Sequence, residues 1–206
     1  MTTRTLARRA ALVAATATAA FVLAACGGDN GDSTGHTGHG TTASPAAGTG
    51  AAAHNAQDVT FAQGMIPHHR QALEMAELAA DRASSAQVKD LAARIEKAQD
   101  PEIKAMTGWL KAWGEDVPMA GMDHSGHSGM SGMMSTADMD GLRKKSGKAF
   151  DTAFLTMMVE HHEGAVEMAT TEKDKGRYGA ATRMADAIVT AQNAEIKEMN
   201  QLLGRS

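Results

Sequence analysis

The sequence predicts an all-α fold, a four-helix bundle made of two repeated helical hairpins. Three observations carry that expectation. Apolar residues recur at helical spacing through four long segments. No stretch alternates apolar and polar residues as a half-buried strand would. One pattern occurs twice, at a constant offset of 93 residues. Phe61, Met65, His68, His69, Ala72, Glu74, Met75 and Ala76 match Phe154, Met158, His161, His162, Ala165, Glu167, Met168 and Ala169. Ile95, Gln99, Glu102, Ile103, Lys104, Met106 and Leu110 match Ile188, Gln192, Glu195, Ile196, Lys197, Met199 and Leu203. One hairpin cannot bury its own apolar stripe, whereas two related by a pseudo-two-fold axis can.

The elements follow in order. Residues 1–25 read as a signal peptide: Arg4, Arg8 and Arg9 precede an apolar run too short to span a bilayer comfortably. The run ends Leu23-Ala24-Ala25-Cys26, which resembles a bacterial lipobox. That resemblance implies cleavage before Cys26, its lipidation, and a protein anchored on the extracytoplasmic face of the membrane in the cell envelope. Residues 26–57 are Gly, Thr, Ser, Ala and His with few large apolar groups, a tether by composition. The bundle is expected over 58–204, as repeat 1 (58–113), a Met/His-rich linker (114–136) and repeat 2 (137–204).

Within it, the first helix runs from about Asp58, its N-cap, to Ala83. The second runs from about Ser85 to Trp113 and ends at Gly114. The third runs from about Ala137 to Lys175, broken near Gly147 and ended by Gly176. The fourth runs from about Tyr178 to Leu203 and ends at Gly204. Pro67 and Pro101 each remove one helical hydrogen bond and favour a kink.

Composition narrows the functions. The chain has 206 residues and a net charge of −4. Without residues 1–25 it holds 17 basic against 24 acidic side chains, which excludes a nucleic-acid binder. Seven aromatic residues leave no stacking platform for bases. A single cysteine excludes intrachain disulfides, cysteine zinc sites and iron–sulfur clusters. Fifteen methionines and nine histidines stand out, and they cluster.

Helical residues step by about 100°. On the first helix this groups Phe61, Met65, His68, Ala72, Met75 and Ala76 on one stripe, with His69 at its edge and Glu74 nearly opposite, in solvent. On the second it groups Ile95, Gln99, Glu102, Met106 and Leu110, with Lys104 pointing away. The later helices repeat this with Met158, His161, His162 and Met168, then with Gln192, Glu195 and Met199. Each half therefore aims imidazoles, a carboxylate and an amide at the core. Each such group left without a partner costs about 1–3 kcal/mol. A metal ion would satisfy them; so would a closed hydrogen-bond network.

Ferritin-like di-iron bundles take a Glu from each of two helices and Glu-x-x-His from the other two. Here Glu102 and Glu195 are present, but the other helices offer Met65-x-x-His68 and Met158-x-x-His161. A soft thioether replaces a hard carboxylate in both halves. That favours Cu(I) over iron or manganese. The linker agrees: Met122, His124, His127, Met130, Met133 and Met134 lie between Met119 and Met139 and suit a low-affinity loop site. His36 and His39 add a small cluster in the tether. The alternative is a linker that is Met-rich by composition alone.

The doubled motif, Met65-Ile66-Pro67-His68-His69 with Met158-Val159-Glu160-His161-His162, resembles the family called domain of unknown function 305. The signatures Gln99-x-x-Glu102-Ile103-x-x-Met106 and Gln192-x-x-Glu195-Ile196-x-x-Met199 fit it too. The resemblance covers about residues 57–204. It implies a ferritin-like fold and a secreted or lipid-anchored protein, with copper binding and copper tolerance in some members. Carried over by position, it implies Met65, His68, His69, Met158, His161 and His162 as metal ligands. Gln99, Glu102, Met106, Gln192, Glu195 and Met199 are candidates for further ligands or for supports of them. The first copy departs from the family's His-His-Gln-Gly by reading His69-Arg70-Gln71, which places a cation beside one half of the site.

The resulting expectation is an envelope lipoprotein that binds Cu(I) and sequesters it or passes it on. Its partners would be metal ions, the membrane through Cys26, and a second copy of itself or a metal-transfer protein. No nucleophile–base set or cofactor fingerprint is visible, so catalysis is not predicted. Two alternatives stay open: a ferritin-like oxidase of iron, manganese or copper using Glu102, Glu195, His68 and His161, and a metal-free scaffold with a buried polar network.

Overall fold

The computed structural model describes residues 53–119 and 131–205. Among the described residues there are five helices and no strand: α1 (Ala56–Arg82), α2 (Ala86–Trp113), α3 (Thr136–Arg143), α4 (Gly147–Lys175) and α5 (Gly179–Leu202). α1 pairs with α2, α4 pairs with α5, and α1 packs on α4 to join the two hairpins. This is the predicted four-helix bundle, with one addition. The expected break before Gly147 separates the short α3 from α4. α3 buries Met139 and Leu142 and is tied to α1 by an ion pair between Arg143 and Glu74. Glu74 is thus partly exposed, as its position on the helix predicts, but not free. α1 and α2 run on through Pro67 and Pro101 as single helices. No described helix is long and apolar enough to cross a membrane.

Asp58 is not the N-cap of α1. Asn55 is, and its side-chain oxygen accepts from the backbone N–H groups of Gln57 and Asp58 at 3.0 and 3.1 Å. Asp58 sits one turn in and accepts from the Asn55 N–H at 2.6 Å, completing a capping box. Its other oxygen reaches the α4–α5 turn, accepting from the N–H groups of Arg177 and Tyr178 at 3.0 and 2.8 Å. Asp151, 93 residues on, returns the favour to the α1–α2 turn. It accepts from the Ser84 N–H at 3.0 Å, the Ser84 hydroxyl at 2.5 Å and the Ser85 N–H at 3.1 Å. Each hairpin turn is therefore closed by a carboxylate from the other hairpin. Hydrogen bonds to an ionised group are the strong kind, and these five bonds between hairpins fix how the halves meet.

The core falls into two apolar clusters. One contains Met75, Leu91, Met134, Phe150, Phe154, Met158 and Met199. The other contains Phe61, Met65, Ile66, Met106, Leu110, Ala165 and Ile188. Along α1 the histidine pair follows Met65 and Ile66 and precedes Ala72 and Met75; along α4 the order of clusters is reversed. The histidines thus mark the level where one cluster gives way to the other.

One buried polar group breaks the internal symmetry. Glu172 is fully buried on α4, where the repeat has Ala79. Neither of its oxygens meets a conventional donor among the described residues. Burial, and then the adjoining Asp58 carboxylate, raise its pKa to about 8, against a lowering contact from Gln57. A protonated Glu172 can donate to Asp58. Burial raises the Asp58 pKa, but the contact with Glu172 and the backbone N–H groups of Tyr178, Asn55 and Arg177 outweigh it and hold it below its usual value. Gly176 caps α4 in an extended conformation, not the left-handed one of Gly114. Glycine is needed there for space, since a Cβ would collide with the Glu172 carboxyl group.

Two outcomes are expected. Asp151→Ala should cost about 2–3 kcal/mol in urea unfolding, because three donors at one turn lose an ionised acceptor. Glu172 has a folded pKa of about 8, above its ordinary value of 4.5. Its contribution is complete below the lower value and is lost as pH rises through the higher one. Glu172→Gln keeps a donor toward Asp58 at every pH, so its stability relative to the natural protein should rise between about pH 5 and 8. Taking the difference removes the buried imidazoles, which titrate in the opposite sense.

Candidate metal centre

His68, on α1, and His161, on α4, meet where those two helices cross. Their ring centroids are 3.7 Å apart and the planes are tilted by 39°. These two residues are 93 positions apart, so the contact lies on the pseudo-two-fold axis. Both are fully buried, and neither ring nitrogen of either one has a hydrogen-bond partner among the described residues. Burial, and then the charges of His69 and His162, push the His68 pKa down to about 3. Burial, and then the other three histidines, hold His161 well below the usual value. Both imidazoles are neutral at neutral pH and carry an available lone pair, the form that ligates metals.

The next residue on each helix turns away from the axis. His69 Nε2 lies 2.7 Å from Glu102 Oε2 on α2, and His162 Nε2 lies 2.7 Å from Glu195 Oε2 on α5. An ionised carboxylate only accepts, so Nε2 donates, and Nδ1 is the nitrogen left to bind an ion. Both Nδ1 atoms are buried and unpartnered among the described residues. A carboxylate holding one imidazole nitrogen while the other faces inward is the arrangement that orients metal-ligating histidines. Six imidazole nitrogens in all are left without partners at this level among the described residues. His69 is fully buried, not at the edge of its stripe, because α2 covers that side.

The remaining predicted residues are placed as follows. Met65, Met106, Met158 and Met199 are fully buried; Met65 and Met106 share one core cluster, Met158 and Met199 the other. Gln99 and Gln192 are buried, each with an Oε1 that has no partner among the described residues. Glu102 and Glu195 are partly exposed and committed to histidine. Met134 is buried beside α1 and Met133 is half-buried. Met122, His124, His127 and Met130 lie outside the described residues, as do Cys26, His36 and His39. Among the described residues no three His, Cys, Asp or Glu side chains already surround a common point. The donors form a layer of imidazoles flanked by thioethers, and an ion would have to draw side chains toward it.

Sequence reasoning missed what secures the linker. Gln63 Nε2 donates to the Asp116 carbonyl at 2.9 Å, and Arg70 to the Pro118 carbonyl at 2.7 Å. Gln71 grips Met134 twice, donating to its carbonyl at 2.9 Å and accepting from its N–H at 2.7 Å. Arg70 is therefore not a stray cation at the site. The only signal available beforehand was that the copies differ at these positions.

A bundle of two repeated hairpins with a buried, carboxylate-supported histidine layer defines the class. The chain belongs to the family described as Domain of unknown function (DUF305), which it matches over residues 58–203. It is similar to a DUF305 protein from Streptomyces coelicolor whose name calls it secreted, at 34% identity over 72% of this chain and 92% of that one, with a TM-score of 0.65. It is also similar to a DUF305 fragment from Deinococcus radiodurans, at 33% identity over 74% and 98%, with a TM-score of 0.66. CopM in its Cu(I)-bound form matches at 34% identity over 70% and 94%, with a TM-score of 0.58, and Cu(II)- and Ag-bound forms of CopM match as well. No curated protein sequence matches the chain.

The geometry carries its own test. Glu102→Ala and Glu195→Ala each strip a buried imidazole of its last partner, so each should cost about 1–3 kcal/mol of stability. Thermal unfolding should show the two losses equal within about 0.5 kcal/mol if the halves are equivalent there.

Proposed function

We propose that this protein binds Cu(I) in the histidine layer, to sequester it or pass it on outside the cytoplasm. The observation that carries this reading is the set of six buried, unpartnered imidazole nitrogens supplied by His68, His69, His161 and His162. Leaving so many polar atoms unpaired costs several times about 1–3 kcal/mol, and a bound ion would recover it. Met65 and Met158 would add thioether donors, which with imidazole suit a soft monovalent ion. Glu102 and Glu195 would fix His69 and His162. Gln99, Met106, Gln192 and Met199 would line the surroundings. The names of the CopM forms, which state Cu and Ag binding for that protein, support the choice of metal.

The oxidase alternative draws less support. A di-iron centre needs its carboxylates on the metals, and here both are engaged with imidazole. In this reading Cys26 carries the lipid that holds the bundle at the membrane surface, and the 120–130 segment supplies a weaker capture site through Met122, His124, His127 and Met130.

Titration with Cu(I) against a competing chelator under reducing conditions tests the proposal. The natural protein should bind tightly and gain about 2.7 kcal/mol of stability at a hundredfold excess over Kd. His68→Ala with His161→Ala should weaken binding by about a hundredfold or more. Replacing Met122, His124, His127 and Met130 by Ser should leave the tight site intact. Tight binding lost only in the linker variant would overturn the placement, and no competitive binding in any of them would overturn the function.

A further inference from the structure

The two copies of the repeat part company immediately after the histidine pair. His69-Arg70-Gln71 stands where the second copy has His162-Glu163-Gly164. Gln71 and Gly164 are equivalent positions, 93 residues apart, and both touch the same piece of chain. Gln71 is buried and makes its two hydrogen bonds to the Met134 backbone. Gly164 lies against Ser131 and Gly132 so closely that a Cβ there would collide with the Ser131 carbonyl. Gly132 meets it from the other side. Its φ is +77°, and a Cβ on it would stand 2.6 Å from the Glu160 carbonyl oxygen and 3.0 Å from that of His161. Residues 131–134 therefore run from α4, where Gly132 lies against the His161 backbone carbonyl, to α1, where Gln71 holds Met134 three residues beyond His68. Ser131 at the same time forms part of the wall of an open groove of about 480 Å³ between α1 and α4, with Phe61, Gly64 and Met168.

We infer that Gln71 and Gly164 are positioning residues for the His68–His161 pair: together they seat the Ser131–Met134 strap across it and so set how fast an ion reaches and leaves it. This rests on the metal reading for its purpose, but the strap's seating on both helices stands by itself. The chemistry of the two residues differs because the task differs on each side. α1 must grip the backbone of one residue on both sides, and a carboxamide offers a donor for the Met134 carbonyl and an acceptor for its N–H. α4 must let a backbone approach at contact distance, and only glycine leaves that room. A symmetric repeat could do neither on both sides with one residue type.

The experiment compares Gln71→Leu and Gly164→Ala with the natural full chain, with Leu110→Ala, which opens a gap in the apolar cluster that contains neither Met134 nor Leu91, as the control for general loss of stability. The first readout is deuterium exchange at the C2 positions of His68 and His161 in metal-free protein. It should quicken about tenfold or more in both strap variants and stay near the natural rate in Leu110→Ala under conditions where all are folded. The second is transfer of Cu(I) to a chelator, which should also quicken about tenfold while the equilibrium affinity changes by less than about threefold. Exchange unchanged in both strap variants, or quickened equally in Leu110→Ala, overturns the inference. If the natural protein takes up no Cu(I), the metal reading fails and the exchange readout alone decides for or against the strap.

Discussion

Everything in this molecule is arranged around one contact, the packing of His68 on His161 where α1 crosses α4. Two neutral imidazoles are held in an apolar interior with no hydrogen-bond partner among the described residues. Such a contact is not a source of stability, since unpartnered buried nitrogens cost about 1–3 kcal/mol each. It persists because its surroundings leave it no alternative. Apolar clusters above and below hold the helix crossing in register, and Asp58 and Asp151 lock each hairpin to the turn of the other. The fold gives up stability at one level and is held at both ends.

The pseudo-symmetry explains most of the construction and its failure explains the rest. Asp58 and Asp151, His69–Glu102 and His162–Glu195, and the orphaned oxygens of Gln99 and Gln192 all come in pairs. A single chain cannot stay symmetric where it must pass from one half to the other. Where the described ends of that passage are held, Arg70 and Gln71 stand at the positions that Glu163 and Gly164 occupy in the second copy. Glu172, with Ala79 at the equivalent place, is a second departure. It sets a protonated carboxyl group against Asp58 on one side of the molecule only.

The offset of 93 made the bundle, the helix pairing and the inward-facing His, Met, Gln and Glu residues legible, because burial follows period and repetition follows architecture. The same offset reached Asp58 and Asp151, but a carboxylate at the start of a helix reads first as a cap, and α1 begins earlier, at Asn55. Helical periodicity ranks faces but not depths, so His69 read as an edge residue until α2 was seen to cover it. How two helices are staggered is a property of packing, and only the structure brought His68 and His161 together. The grip of Gln63, Arg70 and Gln71 on the linker backbone was not legible, since a carbonyl acceptor leaves no mark on the sequence.

Substituting thioether for carboxylate beside each histidine pair changes what the bundle can hold. Thioethers do not titrate and do not form disulfides, so they keep their affinity for soft ions in an oxidising setting. Silver stands in for Cu(I) and scatters anomalously, so crystals of the full chain grown with Ag(I) offer the most direct measurement. The account requires an anomalous peak between α1 and α4, within bonding distance of a His68 or His161 nitrogen. Peaks confined to the linker or the outer surface, with the two rings still packed on each other, would contradict it.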